Sequence, residues 1–466
     1  MTTILLIRNS YLIVSSENED LLDGIYEALS FKDASKAYGF GGFDPNRIKV
    51  IRFSKFVKDV EPSSLEVPIG FLSFIQSVLE DFDHSTVDER KPLDEISIDQ
   101  IEELEGIKLY DHQLGAVYKA LSNRRGIIKA PTGSGKTEIF VAILNMLKKP
   151  SLVLFNRKQL AQQTFDRSNS RGVESGLVQG KNIFEKNITM ATIQSIHNIE
   201  NIKKYKNLIL DECHNISSKE YQKVIKMKHW ERVYGFSATP VNPQKMDLKS
   251  AKIIANVGSV IYDVESKDMM EKGVIAKPKI IMVPINKPDN IDDVSYKEAE
   301  AAGIIYNKHR NEVIAKIAEN YRDQGVLILN KYVDQGKEIN KLIPEAPFIW
   351  NEVSVKDRIK VINKFDNREI DILIASRILD EGIDIKNFKV LIIASAGLSF
   401  VKTIQRLGRG LRVTNEKDSI LVFDFIDNTS YKLVKHSKAR MKTYKMFGYD
   451  NIIKLENTND SLNQLY

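Results

Sequence analysis

The sequence predicts an α/β protein with two tandem parallel-sheet domains and a small α/β accessory module ahead of them. Three observations lead there. Apolar strand-like runs alternate with helical patterns over residues 126–236 and again over residues 280–423. The turn Ala130-Pro131-Thr132-Gly133-Ser134-Gly135-Lys136-Thr137 lies between the apolar run Gly126-Ile127-Ile128 and the helical pattern Ile139–Leu144. Strand, glycine turn and helix in that order suit a phosphate-binding loop. Residues 1–105 show neither the alternation nor such a turn, so they read as a separate module.

Taken in order, the N-terminal module reads as strands at Ile4–Ile7 and Tyr11–Val14 and a helical pattern through Leu21, Leu22, Ile25 and Leu29. A glycine turn follows at Phe40–Pro45, then a strand at Ile48–Phe53 and a helix at Ile69–Phe82. The strongly charged stretch Asp83–Glu105, with Pro92, reads as a linker that is part helix. Lys49, Arg52, Phe53 and Lys55 are candidates to touch a polyanion, and they equally suit a solvated basic edge. From residue 106 the first series places strands at Gly126–Lys129, Ser151–Phe155, Ile188–Ala191, Asn207–Leu210 and Val233–Phe236. The second places them at Ile280–Val283, Val326–Leu329, Phe348–Trp350, Ile372–Ala375, Val390–Ala394 and Ser419–Phe423, with a long helix around Tyr306–Tyr321. The expected division is therefore 1–105, 106–272 and 273–466. The last residues, Glu456–Tyr466, are polar and read as a frayed end.

Composition narrows the class. Hydrophobic content of 42% and charged content of 28% are those of an ordinary globular protein. The net charge of +6 is compatible with a polyanion partner without requiring one. A single cysteine, Cys213, excludes an intrachain disulfide and suits a reducing, cytoplasmic setting. No apolar run reaches membrane-spanning length, and the start lacks the pattern of a signal peptide.

The chemistry-bearing residues fall at strand ends. In the loop, Gly133 and Gly135 let backbone N–H groups turn inward around a polyphosphate, beside Thr132 and Ser134. Lys136 is placed to reach the β and γ phosphates, and Thr137 to hold Mg²⁺. Leu208-Ile209-Leu210 delivers Asp211-Glu212-Cys213-His214 at the carboxyl end of a strand, where such sheets put ligand groups. Asp211 is expected to complete the Mg²⁺ shell and Glu212 to polarise an attacking water. The next strand runs into Ser237-Ala238-Thr239-Pro240, whose short hydroxyls can bond back to the acidic motif, with His214 as the relay. Cys213 reads as small filler, since no activating base is implied. Near the end of the second series lies Gln405-Arg406-Leu407-Gly408-Arg409-Gly410-Leu411-Arg412. Arg409 and Arg412 share one helix face at this spacing, and guanidinium groups there can stabilise charge on a γ-phosphate.

Together these motifs resemble those of a superfamily-two helicase or translocase, in the expected order from about Tyr110 to Arg412. Weaker matches fill the intervals. Leu109-Tyr110-Asp111-His112-Gln113 resembles the adenine-reading motif, with Gln113 as the reader. Asn156–Leu160 and Ala191–Ser195 resemble strand-tracking motifs of the first domain; Leu327–Asn330 and Ala375–Asp384 resemble those of the second. The resemblance implies two RecA-like domains with ATP and Mg²⁺ between them. It implies that Arg157, Thr192 and Ser376 contact phosphates of the tracked strand, that Gly382 and Asp384 link strand to nucleotide, and that Gln405 takes part in coupling. ATP gripped from both domains favours a closed state, and hydrolysis releases it.

The forms Ser-Ala-Thr-Pro and Gln-Arg-Leu-Gly-Arg-Gly-Leu-Arg resemble DNA repair, recombination and restriction translocases more than RNA-unwinding DEAD-box proteins. The compact N-terminal module, the short second domain and the tail helix around Lys435–Arg440 are similar to those of phage recombination helicases. That likeness implies a double-strand translocase acting on branched or forked DNA, as in Holliday-junction migration and fork regression, moving three-prime to five-prime. Other readings stay open: an RNA helicase or remodelling ATPase, the motor subunit of a restriction system, and a non-enzymatic DNA-binding scaffold.

Overall fold

The computed structural model describes residues 3–35, 38–39, 42–43, 45–94, 96, 104–131, 133–241, 246–271, 277–285, 295–376, 385, 387–395, 419–446 and 448–456. The chain divides into two compact units, Met1–Ala130 with Gly135–Val264, and Pro131–Ser134 with Glu265–Tyr466.

The N-terminal part of the first unit is a five-stranded sheet. Its strands are β1 (Thr3–Ile7), β2 (Tyr11–Ser16), β3 (Lys55–Phe56), β4 (Ser64–Pro68) and β5 (His84–Asp88), in the order β3-β4-β2-β1-β5. Period-two alternation puts Leu5 and Ile7 of β1 and Leu12 and Val14 of β2 into one core with Leu22 and Ile25 of helix α1 (Glu19–Ala28) and Ile75 of α2 (Leu72–Leu79). The Asn18 side chain caps α1 by accepting from the Leu21 N–H at 3.1 Å. The expected linker is partly strand: β5 pairs in parallel with β1, Thr3 opposite His84. Four of its five residues are exposed, so it carries no hydrophobic period to read.

The rest of the first unit is an eight-stranded sheet, parallel except at one edge. It begins with helix α3 (Asp111–Leu121), β6 (Arg125–Lys129), α4 (Lys136–Leu147), β7 (Ser151–Phe155) and α5 (Lys158–Ser170). An edge hairpin follows, β8 (Gly176–Gln179) and β9 (Asn182–Phe184). Then come β10 (Ile188–Thr192), β11 (Asn207–Asp211), α6 (Lys219–Lys226), β12 (Arg232–Ser237), α7 (Leu248–Val257) and β13 (Val260–Asp263). The order is β9-β8-β10-β7-β11-β12-β6-β13. The central strands are buried along their whole length, as helices on both faces require. The N-terminal module is docked on this domain. Ala251 of α7 belongs to the module's core, and a Cβ on Gly70 would fall 1.9 Å from the Ile254 carbonyl oxygen, so only glycine fits there.

The second unit is a seven-stranded, all-parallel sheet. Its elements are β14 (Lys277–Ile285), α8 (Lys308–Asn320), β15 (Val326–Asn330), α9 (Val333–Leu342), β16 (Phe348–Ile349), α10 (Val355–Asp366), β17 (Ile372–Ser376), β18 (Val390–Ile393), β19 (Ser419–Asp427), α11 (Tyr431–Met446) and β20 (Ile452–Lys454). The order is β16-β17-β15-β18-β19-β14-β20. Both large sheets carry the doubly wound pattern, and the fold is two RecA-like domains with an N-terminal α/β module.

Candidate active site

The phosphate-loop sequence folds as a left-handed turn that opens a helix. Gly133 has φ 92° and Gly135 φ 74°, conformations that a side chain would strain. Lys136 is the first residue of α4, so its backbone stands at a helix N-terminus with unpaired N–H groups. Thr137 is the second residue of α4 and half-buried. Ser134 is buried and donates its hydroxyl to the Pro131 carbonyl at 2.8 Å, pinning the loop. Thr132 lies outside the described residues. Gln113 in the first turn of α3 accepts from the Tyr110 N–H at 2.9 Å, and a Cβ on Gly135 would meet its amide nitrogen at 2.2 Å. The sequence placed these two residues in separate motifs; here they touch.

The acidic motif faces the loop. Asp211 ends β11, beside β12, and Glu212 turns the chain in the left-handed region at φ 49°, ψ 53°. Strain of this kind, on the order of 1–3 kcal/mol, persists where the surroundings fix it. Lys136 Nζ lies 3.3 Å from Glu212 Oε1. His214 Nδ1 lies 3.1 Å from Glu212 Oε2 and 3.0 Å from the Ser237 hydroxyl. Ser237 Oγ in turn accepts from the Thr239 N–H at 3.2 Å. With a proton on Nδ1 the imidazole donates to Glu212; without one it accepts from Ser237. An unbroken polar line thus runs from the loop lysine to the Ser-Ala-Thr turn, and the Ala130 N–H closes it by donating to the Ser237 carbonyl at 3.0 Å.

The two carboxyls of this motif titrate in opposite directions. Burial, and then the charge of Glu212, push Asp211 up to about 6. Burial also acts to raise Glu212, but the Lys136 ammonium and His214 outweigh it and hold the group well below the usual carboxylate range. Burial acts to lower Lys136, and the attraction of Glu212 and Asp211 outweighs it, so the net shift is upward. Cys213 is fully buried, which pushes its thiol up and keeps it protonated. A buried carboxyl that resists ionising beside a second carboxylate is relieved by a cation, and a helix N-terminus with an ammonium receives an anion. These residues therefore fit a triphosphate with a divalent cation: Lys136 and the loop amides for the phosphates, Asp211 and Thr137 for the metal.

Comparison with known proteins decides the family. Residues 106–242 match the model described as "Type III restriction enzyme, res subunit", and residues 305–414 match "Helicase conserved C-terminal domain". The chain belongs to the superfamily-two helicases. A DNA 3'-5' translocase, XPB2 of Sulfurisphaera tokodaii, is 25% identical over 68% of this helicase and 81% of its own length. The ATP-dependent DNA helicase uvsW of Enterobacteria phage T4 is 22% identical over 90% of this helicase and 92% of its own length. Among solved structures, S. cerevisiae Dbp5 bound to RNA and ADP BeF3 aligns with TM-score 0.51 at 17% identity, over 79% of this helicase and 98% of that chain. That last likeness is one of fold.

The helicase's expected strand-tracking residues are placed unevenly. Arg157 precedes α5 and is half-buried, next to exposed Lys158. Thr192 is fully buried and gives its hydroxyl to Ser195 at 2.9 Å, so its side chain orders this turn and cannot itself present to a phosphate from here. Ser195 also accepts from the Gly180 N–H at 2.8 Å, which ties the β8–β9 hairpin to the same turn. Gln194 donates to the Asn156 carbonyl at 3.3 Å. Ser376, at the end of β17, is buried to 3% exposure. Gly382, Asp384, Gln405, Arg409 and Arg412 lie outside the described residues. One feature the motifs did not single out is Tyr110, 56% exposed and stacked on His112 at 5.7 Å and 10°. A flat aromatic beside the amide of Gln113 suits a base, and the signal for it was the tyrosine within the motif itself.

Proposed function

We propose that this helicase is an ATP-driven translocase on DNA, with branched or forked duplex as its substrate. The observation that carries the reading is the polar line Lys136–Glu212–His214–Ser237, which joins the phosphate loop to the turn expected to sense nucleotide state. In this reading Lys136 holds the β and γ phosphates, and Gln113 and Tyr110 hold the base. Glu212, kept ionised by Lys136 and His214, orients the attacking water and takes its proton. Thr137 and Asp211 would hold Mg²⁺, which would supply charge neutralisation on the phosphate oxygens. Arg409 and Arg412 are the proposed arginine fingers of the second domain, with Gly382, Asp384 and Gln405 coupling strand to nucleotide. When an anion draws Lys136 away from Glu212, His214 is left to redistribute its hydrogen bonds between Glu212 and Ser237, which is how occupancy would reach the Ser237–Thr239 turn.

DNA is favoured over RNA by the Ser237-Ala238-Thr239-Pro240 and Gln405–Arg412 forms and by the names of the two sequence relatives, XPB2 and uvsW. Branched substrates and three-prime to five-prime travel are favoured by the likeness to phage recombination helicases. A second reading, the motor of a restriction system, is supported by the description of the family matched over residues 106–242. The test is ATP turnover against a panel of single strand, linear duplex, fork, four-way junction and RNA. Strongest stimulation by fork or junction is expected. RNA exceeding every DNA would overturn the reading. DNA cleavage appearing only with a partner subunit would favour the second.

A further inference from the structure

A groove of 780 Å³ opens between the N-terminal module and the first parallel-sheet domain. It lies at the amino-terminal edge of that sheet. Arg125, the first residue of β6, lines it, whereas the phosphate loop leaves the other end of the same strand. Five residues separate the two edges by roughly 17 Å. The module contributes Arg52 and Lys55; the domain contributes Arg125, Lys226, Lys228 and Lys252. Glu66 is the one carboxylate among the described lining residues, and Lys55 pairs with it at 3.0 Å. Among the described residues neither Lys226 nor Lys252 has an ion-pair partner. A smaller cavity beside it shares Arg125 and adds Arg124, together with Arg90, which Asp88 pairs at 2.6 Å.

This concentration of cations works against itself. Burial and then Arg90 hold Arg125 below the usual guanidinium range, at about 10. Burial followed by Arg125, Lys228 and Arg124 lowers His229 at the rim. Asp88 matches Arg90 at 2.6 Å and Glu66 matches Lys55, but Lys226 and Lys252 have no such carboxylate among the described residues, and like charges left so lose their cost when a polyanion supplies the missing charge. Phe53, Ile69 and Trp230 also line the groove, with Lys228 Nζ 5.1 Å from the centre of the Trp230 ring, so the groove has apolar walls that sharpen the field at its mouth. Two elements far apart in sequence build it, so the basic run through Arg52, Phe53 and Lys55 showed only the module's half of it.

We propose that this groove is a second binding site for the phosphate backbone of DNA, separate from the strand-tracking turns at the carboxyl edge. This rests on the reading of the chain as a DNA translocase. Lys226 and Lys252 contact phosphates of a duplex arm, Arg52 reaches it from the module, and Arg125 sets the field at the base of the groove.

The test uses the full chain carrying Lys226→Glu with Lys252→Glu, both outside the nucleotide site. Binding of a labelled forked duplex is followed by anisotropy across a salt series, alongside ATP turnover with saturating single strand. At about 0.1 M salt the double variant should bind the fork at least ~10-fold more weakly, and the slope of log affinity against log salt should flatten by about 1.8, or roughly 0.9 for each lost phosphate contact. Turnover with single strand should stay at the parent level. Glu66→Gln should do the reverse and tighten the fork. An unchanged slope with unchanged affinity would overturn the site. So would displacement of the fork by poly-glutamate at equal charge, since that marks a surface for acidic polypeptides. If the parent itself shows no DNA-stimulated turnover, the translocase reading fails, while the salt slope still decides whether the groove holds phosphates.

Discussion

In the first parallel sheet the charged groups of the phosphate loop and the acidic motif gather at the carboxyl ends of the strands, partly open to solvent. In the second, the charged groups that most shape the described structure lie inside. Lys136, Glu212 and His214 keep some exposure and share hydrogen bonds that can be exchanged. Arg310 and Asp427, by contrast, are both 0% exposed and bonded at 2.8 Å, with the guanidinium also donating to the Ala394 carbonyl at 2.7 Å. Arg440 donates to Asp424 at 2.9 Å, and Tyr444 adds a 2.7 Å bond to the same carboxylate. These contacts staple α8 and α11 to β19. The difference separates two uses of one fold. A buried pair holds elements together even with Arg310 Nη2 and Asp427 Oδ2 left without a hydrogen bond, and a half-open carboxylate with a displaced pKa is available for chemistry.

The largest expected effect falls on the staple. Arg310→Ala leaves Asp427 buried with Arg440 Nη2, 3.7 Å away, as its remaining cation, and should cost about 3 kcal/mol in a denaturant titration. ATP turnover per folded molecule should change little. A loss below ~1 kcal/mol would show that water reaches the site and would remove the contrast between the sheets. Next comes the open site. Lys136→Ala should lower turnover at least ~100-fold while the melting temperature stays close to the parent, the reverse of the staple variant. A smaller effect, about 10-fold, is expected for Ser237→Ala on the stimulation of turnover by DNA, with basal turnover less affected. Equal loss of both would place Ser237 in the chemistry instead of the coupling.

The smallest effect is on pH dependence. Asp211 has its folded value raised to about 6 from an ordinary 3.8. Its contribution to stability is full below the unfolded value and is lost as pH rises through about 6. Glu212, held low, contributes in the opposite sense: its stabilisation is present above its unfolded value and is lost as pH falls toward its folded one. A divalent cation on Asp211 needs the ionised form. Magnesium with nucleotide should therefore raise the melting temperature more at pH 8 than at pH 5.5. An equal rise at both values would remove Asp211 from the metal site.

Much of this was legible in the sequence because its signals were local. The buried strands of both large sheets read as apolar runs, and the phosphate loop and acidic tetrapeptide sit where strand ends put them. What escaped depended on pairing. β5, with four exposed residues, takes its place only through β1; β9 is exposed throughout; β13 follows β6 with a register shift. Arg440 was legible only as part of a tail helix, and its inward staple was not, since its partners Asp424 and Asp427 belong to another element. The placement of residues 1–105 illustrates the same point. They read as a separate module followed by a linker, but Ala251, Ile254 and Ala255 of α7 pack into their core, so removing them would expose apolar surface. Thr192 shows the converse: its motif was readable, whereas the burial of its hydroxyl against Ser195 was not.

The most direct measurement is ATP turnover of Glu212→Gln with and without a four-way junction, together with nucleotide affinity. The substitution keeps the shape and removes the charge that Lys136 and His214 share. Turnover at least ~100-fold below the parent in both conditions, with nucleotide still bound, is the predicted result. Junction-stimulated turnover near the parent level would mean that the water is activated elsewhere, and that the line from Lys136 to Ser237 is structural.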